Sequence, residues 1–319
     1  MTNTPVRYPI GIQSFEKLRD LGYLYVDKTE LIYNLVNSSN CIFLSRPRRF
    51  GKSLLLSTIQ AYFEGKKELF KDLAIEQLER EWRVHPVLKL SLATYHAADG
   101  GNLVEILSNQ FAEWEKKYEV EVCTTDLSSR FGNIIKAAYN ATGQTVVILV
   151  DEYDNPIIET MHDPERSEAH RLLLKSIYVN IKDLDQYIRF TMLTGVSRFC
   201  KMTIFSGLNN LRDISLKEEY AALCGITENE LRESFPQGIE KLALKRKTDS
   251  EGAMALLKAN YDGYHFTKES PDIYNPFSLL WALDDGELGS YWFQSGTPEF
   301  LIKQIQKGGN FLPEMFNES

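Results

Sequence analysis

The chain has 319 residues, 43% of them hydrophobic and 25% charged, an ordinary balance for one large folded domain plus a small one. Its formal net charge of −8 argues against sequence-independent DNA binding, which rests on neutralising phosphates with Lys and Arg. No apolar run approaches the roughly 18 residues of a membrane span, and Met1-Thr2-Asn3-Thr4-Pro5 lacks a signal-peptide core, so a cytoplasmic setting is expected.

Residues from about 8 to 38 predict two helices around Tyr23-Leu24-Tyr25-Val26-Asp27-Lys28-Thr29. The apolar run Cys41-Ile42-Phe43-Leu44 then feeds into Ser45-Arg46-Pro47-Arg48-Arg49-Phe50-Gly51-Lys52-Ser53, followed by the helix-forming Leu54-Leu55-Leu56. Strand, loop and helix in that order are the setting of a phosphate-binding loop. Gly51-Lys52-Ser53 fits the end of the pattern G-x-x-x-x-G-K-[ST]. Arg46 stands at the first glycine, and Pro47 has no N–H to give a phosphate. Gly51 admits close backbone approach, Lys52 reaches the β- and γ-phosphates, and the Ser53 hydroxyl is a ligand for Mg²⁺. The helix opening near Lys52 aims its free N–H groups at the same anion. Arg46, Arg48, Arg49 and Lys52 place four positive charges within seven residues. The candidate nucleotide-binding stretch is therefore Arg46, Pro47, Arg48, Arg49, Phe50, Gly51, Lys52, Ser53 and Leu54. The helix should run to about residue 64 and stop at Gly65.

Val87-Leu88-Lys89-Leu90-Ser91-Leu92 predicts the second strand. Leu103, Leu107, Phe111, Trp114 and Tyr118, then Leu127, Phe131, Ile134, Ile135 and Ala138, recur at helical spacing and predict two core-facing helices. Val146-Val147-Ile148-Leu149-Val150 predicts a strand buried on both faces, ending in Asp151-Glu152. Strands of parallel sheets end at the ligand-binding edge, so Asp151 is the candidate Mg²⁺-associated acid and Glu152 the candidate base for water. Asp163-Pro164 opens a helix to about residue 183. Ile188 to Leu193 predicts a further strand, and Thr194, Ser197 and Arg198 at its end are candidates for sensing a γ-phosphate. Alternating strands and helices predict an α/β fold: a P-loop NTPase core with a parallel sheet flanked by helices, of the additional-strand type. The segment before the first strand stands where many ATPases place an adenine-contacting element.

After about residue 213 the pattern changes. Residues 218–223 predict a short helix, and Thr227 with Glu230 gives a capping box for a helix to about 235. Another helix covers about 251–261, and Tyr264-His265-Phe266 with Ile273-Tyr274 suggests a small hairpin. The division expected is residues 1–215 for the core and 216–319 for a smaller, mainly helical, winged-helix-like module. Glu228, Glu230 and Glu233 against Arg232 alone make the helix from Thr227 acidic, so a lid or brace is expected there and not a DNA reader. The cysteines at 41, 123, 200 and 224 show no C-x-x-C spacing, and reduced thiols are expected. The five histidines show no metal-ligand spacing.

The motifs together resemble the AAA-ATPase-like family found mainly in bacteria. The resemblance rests on Gly11-Ile12-Gln13-Ser14-Phe15-Glu16, Tyr25-Val26-Asp27-Lys28-Thr29, the loop Arg46 to Ser53, Leu149-Val150-Asp151-Glu152-Tyr153-Asp154-Asn155-Pro156 and Phe205-Ser206-Gly207-Leu208-Asn209-Asn210. The arginine-rich loop without its first glycine looks like that family's own variant. Tyr261-Asp262-Gly263-Tyr264 and Tyr274-Asn275-Pro276-Phe277-Ser278 are similar to segments that often follow the ATPase in the family. A PD-(D/E)xK-type nuclease domain commonly comes next; no acid and E-x-K set is visible here, so the ATPase part alone is expected. The resemblance implies ATP and Mg²⁺ as cofactors, with Lys52, Glu152 and Arg198 as catalytic groups, Ser53 and Asp151 as metal ligands, and Thr194 beside the nucleotide. It also implies a nuclease domain or other protein as partner; a homo-oligomer and an arginine finger stay open. The competing reading is a nucleotide-binding module without turnover that regulates a nuclease.

Overall fold

The computed structural model describes residues 6–198, 204–205 and 210–291. Five parallel strands form the main sheet: β1 (Cys41–Ser45), β2 (Val87–Ser91), β3 (Val146–Asp151), β4 (Ile188–Gly195) and the short β5 (Arg212–Asp213). Their order is β2-β3-β4-β1-β5. The strand after the carboxylate strand is thus inserted between it and the loop strand, which is the additional-strand arrangement. Register fixes the height of the site. Leu44 pairs with Thr194 and Val150 with Leu193, so Asp151, one step on, ends β3 beside Thr194.

Helices cover both faces, and alternation along each strand sorts the side chains between them. Val146, Ile148 and Val150 face one core with α5 (Leu103–Lys117), α6 (Leu127–Thr142) and α8 (Pro164–Asp183), where Phe111, Phe131 and Ile177 are buried. Val147 and Leu149 face the other core with α2 (Thr29–Ser38) and α3 (Lys52–Phe63), through Ile32, Leu56 and Ile59. The smaller helices here are α1 (Phe15–Asp20), α4 (Ile75–Leu78) and α7 (Asn155–Glu159). Caps set the boundaries as the sequence suggests. The Asp163 side chain accepts from the Arg166 N–H with Pro164 at the first helical position.

The C-terminal module begins with β6 (Ile226–Thr227) and α9 (Glu228–Ser234), whose capping box between Thr227 and Glu230 is present. It continues with α10 (Pro236–Arg246), α11 (Ser250–Tyr261), β7 (Ile273–Tyr274) and α12 (Pro276–Asp285). Two helices here, α10 and α12, were not expected. Each follows a residue that closes the preceding element and opens on proline, which pre-sets the first helical turn. Tyr264 bridges Ile273 antiparallel, as the hairpin expectation has it, and β7 also pairs with β6. A separate core of Leu231, Phe235, Leu242, Leu257, Leu279 and Leu283 holds the module. Tyr8, Ile10, Leu24 and Val26 from the start of the chain pack onto that core. The buried Lys28 ammonium adds an ion pair to Glu230 at 2.5 Å. Residues 206–209 of the resemblance and residues 292–319 of the expected module lie outside the described residues.

Candidate functional site

The loop after β1 is irregular backbone held by a few side chains. The Arg46 N–H still donates to Gly195 O, extending the ladder by one bond, and then the chain turns. Arg49 and Gly51 both adopt positive φ, 69° and 91°. A Cβ on Gly51 would meet nothing within 4 Å, so it is the backbone conformation and not crowding that favours glycine there. Gly51 caps the twelve-residue α3, which aims its first N–H groups at the loop. Lys52 is 5% exposed, and its ammonium donates to Arg46 O at 2.9 Å and Pro47 O at 3.0 Å. Burial pulls its pKa down, while the nearby Glu152, Asp151 and Asp154 push it back up. An ammonium whose hydrogen bonds go to two backbone carbonyls, with no ion pair to a carboxylate among the described residues, is suited to meeting an anion.

The carboxylate end of β3 is fastened by β4. Asp151 is 4% exposed and accepts a bond from Thr194 Oγ1 at 2.8 Å. The Tyr153 N–H donates to Thr194 O, and the Tyr153 hydroxyl donates to Ser197 O. Asp154 is fully buried and accepts from the backbone N–H groups of Val196 and Ser197. Burial raises its pKa to about 6, against the opposing pull of those N–H bonds and Lys52. A Cβ on Gly195 would fall within 2.6 Å of Tyr153 and Asp154, so only glycine lets β4 approach this closely. Between these fixed residues Glu152 is forced to φ 54°, a left-handed conformation that costs a non-glycine residue roughly 1–2 kcal/mol.

Both ends open on one cavity of about 420 Å³. Arg48, Arg49, Phe50, Gly51, Lys52, Ser53, Leu54 and Glu152 all line it. Other walls come from Ile12, Gln13, Leu24 and Val26 in the N-terminal segment and from Phe277 and Leu280 on α12. The sequence pointed to the N-terminal wall but not to the α12 wall; Tyr274-Asn275-Pro276-Phe277-Ser278 was its one signal. Arg46, Pro47, Asp151, Thr194 and Arg198 do not line the cavity. The Arg46 guanidinium turns away from it, to Ser215 O and Tyr220 O. Thr194 spends its hydroxyl on Asp151 and Val150 O. Arg198 is 48% exposed and pairs with Asp213 at 3.4 Å.

No group of three or more His, Cys, Asp or Glu that could hold a metal occurs among the described residues. Mg²⁺ beside phosphates needs no such cage, since it keeps waters and takes one or two protein oxygens. The Ser53 hydroxyl in the cavity wall and the Asp151 carboxylate, one of whose oxygens is already fixed by Thr194, are hard oxygen donors of that kind. Among the described residues no helix is long and apolar enough to cross a membrane.

A protein of Azotobacter chroococcum mcd 1, described as an uncharacterized protein in the vnfD 5′ region, is 39% identical to this chain over 310 residues. The match covers 97% of this chain and 58% of that protein, so the chain spans well under two thirds of its relative. The AAA-ATPase-like family model, described as a predicted AAA-ATPase, matches residues 9–205, the stretch that holds the sheet from β1 to β4, the phosphate loop and the carboxylate end. On sequence match and on fold, the chain belongs to the AAA-ATPase-like family.

Proposed function

We propose that the chain binds ATP and hydrolyses it, with Mg²⁺, as a slow nucleotide switch. One observation carries this reading: Lys52, Ser53 and Glu152, from two separate strand ends, line a single cavity. The loop and the α3 N-terminus receive the phosphates, and Lys52 exchanges its borrowed carbonyls for phosphate oxygens. Ser53 and Asp151 would hold Mg²⁺, which when bound supplies charge neutralisation at the phosphates. Glu152, on the cavity wall, takes the proton of the attacking water. Arg198, paired with Asp213 and outside the cavity wall, receives no step.

The switch part of the reading rests on α12. Phe277 and Leu280 belong to the C-terminal module and line the same cavity, so a ligand there touches both parts of the chain. A ligand shifts a conformational equilibrium only through such differential contacts. The test is phosphate release from ATP–Mg²⁺, with and without DNA, by the wild type and Glu152→Gln. Turnover by the wild type that the substitution lowers by roughly 10²-fold or more is expected. Tight binding with no turnover by either would favour a non-catalytic module that regulates a nuclease partner.

A further inference from the structure

The generic loop has glycine where this chain has Arg46, and the structure gives that side chain a place outside the phosphate cradle. Arg46 is 1% exposed. Its guanidinium donates to Ser215 O at 2.8 Å, Ser45 O at 2.9 Å and Tyr220 O at 3.2 Å. It also lies over the ring of Phe266, 3.8 Å from the centroid. Burial draws its pKa down to about 10, which leaves it charged at neutral pH.

Phe50, four residues further along the loop, is likewise 1% exposed. Its ring packs edge-on against Tyr264, centroids 4.6 Å apart, and against Phe266 at 5.7 Å. Gly225 makes room for this contact. A Cβ there would fall 2.2 Å from Ile273 and 3.3 Å from Phe50, and its φ of 92° suits glycine besides. Both ends of the loop are therefore gripped by one aromatic pair, which starts in the Tyr261-Asp262-Gly263-Tyr264 segment. That segment lies beyond residue 205, where the family match stops.

We propose that Tyr264 and Phe266 are positioning residues for the phosphate loop, which they hold through Phe50 and Arg46, so that the site is incomplete without the C-terminal module. Locally the loop has few fastenings of its own, chiefly the bonds from the Lys52 ammonium to Arg46 O and Pro47 O. It has two positive-φ residues and a proline without an N–H, and the ladder to β4 stops at Arg46. A loop that must be ordered on binding gives up affinity to that ordering, whereas one already ordered does not. Arg46 is then a pin rather than a damaged glycine, and restoring the generic glycine should weaken binding.

This inference rests on the nucleotide reading above, and the experiment separates the two. Hydrogen exchange of loop residues 46–53 is measured without nucleotide, and ATP–Mg²⁺ affinity by titration, on the full chain, Arg46→Gly and Phe266→Leu. Leucine keeps apolar volume at 266, so that variant decides if Arg46→Gly does not fold. Both variants should exchange the loop about tenfold faster or more, leave the β3 segment 146–151 as protected as in the wild type, and bind ATP about tenfold more weakly. Arg46→Gly binding as tightly as the wild type, or loop exchange unmoved in Phe266→Leu, overturns the pin while the nucleotide reading stands. A wild type that binds no ATP sinks both.

Discussion

At the carboxylate end of the site the fastenings come from the neighbouring strand; at the phosphate loop they come from the far end of the chain. Asp151 is held by Thr194, 43 residues away, and Asp154 by the turn that follows directly. Arg46 is held by Ser215 and Tyr220, 169 and 174 residues away, and by Phe266 beyond them. A parallel ladder aligns strand ends as part of forming the sheet. A loop has no ladder, and its shape depends on whatever side chains pack against it. On the proposed function the chemistry would follow the same division, with the base at the rigid end and the phosphate affinity in the loop.

The sharpest way to break that division is Glu152→Gln. Loss of a general base should lower turnover by roughly 10²-fold or more and leave ATP affinity unchanged within about threefold. Single-turnover hydrolysis beside a binding titration reads both numbers. Wild-type turnover in the variant would move the base elsewhere. The next largest effect belongs to the loop. Lys52→Ala removes the ammonium now held by two backbone carbonyls, and ATP–Mg²⁺ affinity should fall about tenfold or more, about 1.4 kcal/mol. Superimposable titrations for wild type and variant would remove the loop from the phosphate site.

The same division explains what could be read from the sequence. Val146 to Val150 is apolar throughout because β3 is buried on both faces, so the place of Asp151-Glu152 at the end of that strand was legible. The amphipathic helices were legible because Leu107, Phe111, Phe131 and Ile134 repeat at 3.6-residue spacing. The anchoring of Arg46 was not legible. Its sequence position says phosphate, and its carbonyl and aromatic partners lie too far along the chain for any spacing to reveal. The α12 wall escaped for the same reason, since Phe277 and Leu280 reach the cavity only once the small module has packed. Thr194 was read, with Ser197 and Arg198, as a candidate sensor because it ends a strand; that its hydroxyl bonds Asp151 could not be read from the sequence.

A smaller effect tests how rigid the carboxylate end is. Asp154 is buried, and its pKa is raised to about 6, above the ordinary aspartate value it would have unfolded. A raised acid binds its proton more tightly in the fold. Its contribution to stability is thus full below the unfolded value and lost as pH rises through about 6. Asp154→Asn can keep an acceptor toward Val196 and Ser197 but does not titrate. The denaturation midpoint of the wild type minus that of the variant should therefore fall as pH rises from about 4 to about 7. A difference that stays flat over that window would mean the carboxylate reaches solvent when charged, and the β4 turn is looser than its bonds imply.

The smallest effect is expected at Arg198, the one candidate catalytic group that neither strand end brings to the cavity. It is about half exposed, and its contact with Asp213 is long at 3.4 Å. An ion pair of that kind contributes about 0–1 kcal/mol, because water screens the charges and the long side chain loses freedom in holding one geometry. Asp213 does not depend on it, since it also accepts from the Ser215 N–H. Arg198→Ala should therefore shift the denaturation midpoint only slightly and change turnover by less than about threefold. A loss of turnover of about tenfold at unchanged stability would show that the turn after β4 carries Arg198 to the phosphates when nucleotide binds. In that case the carboxylate end, and not only the loop, would have to move, and the division between a rigid end and a held loop would fail at Ser197, where the Asp154 clamp ends.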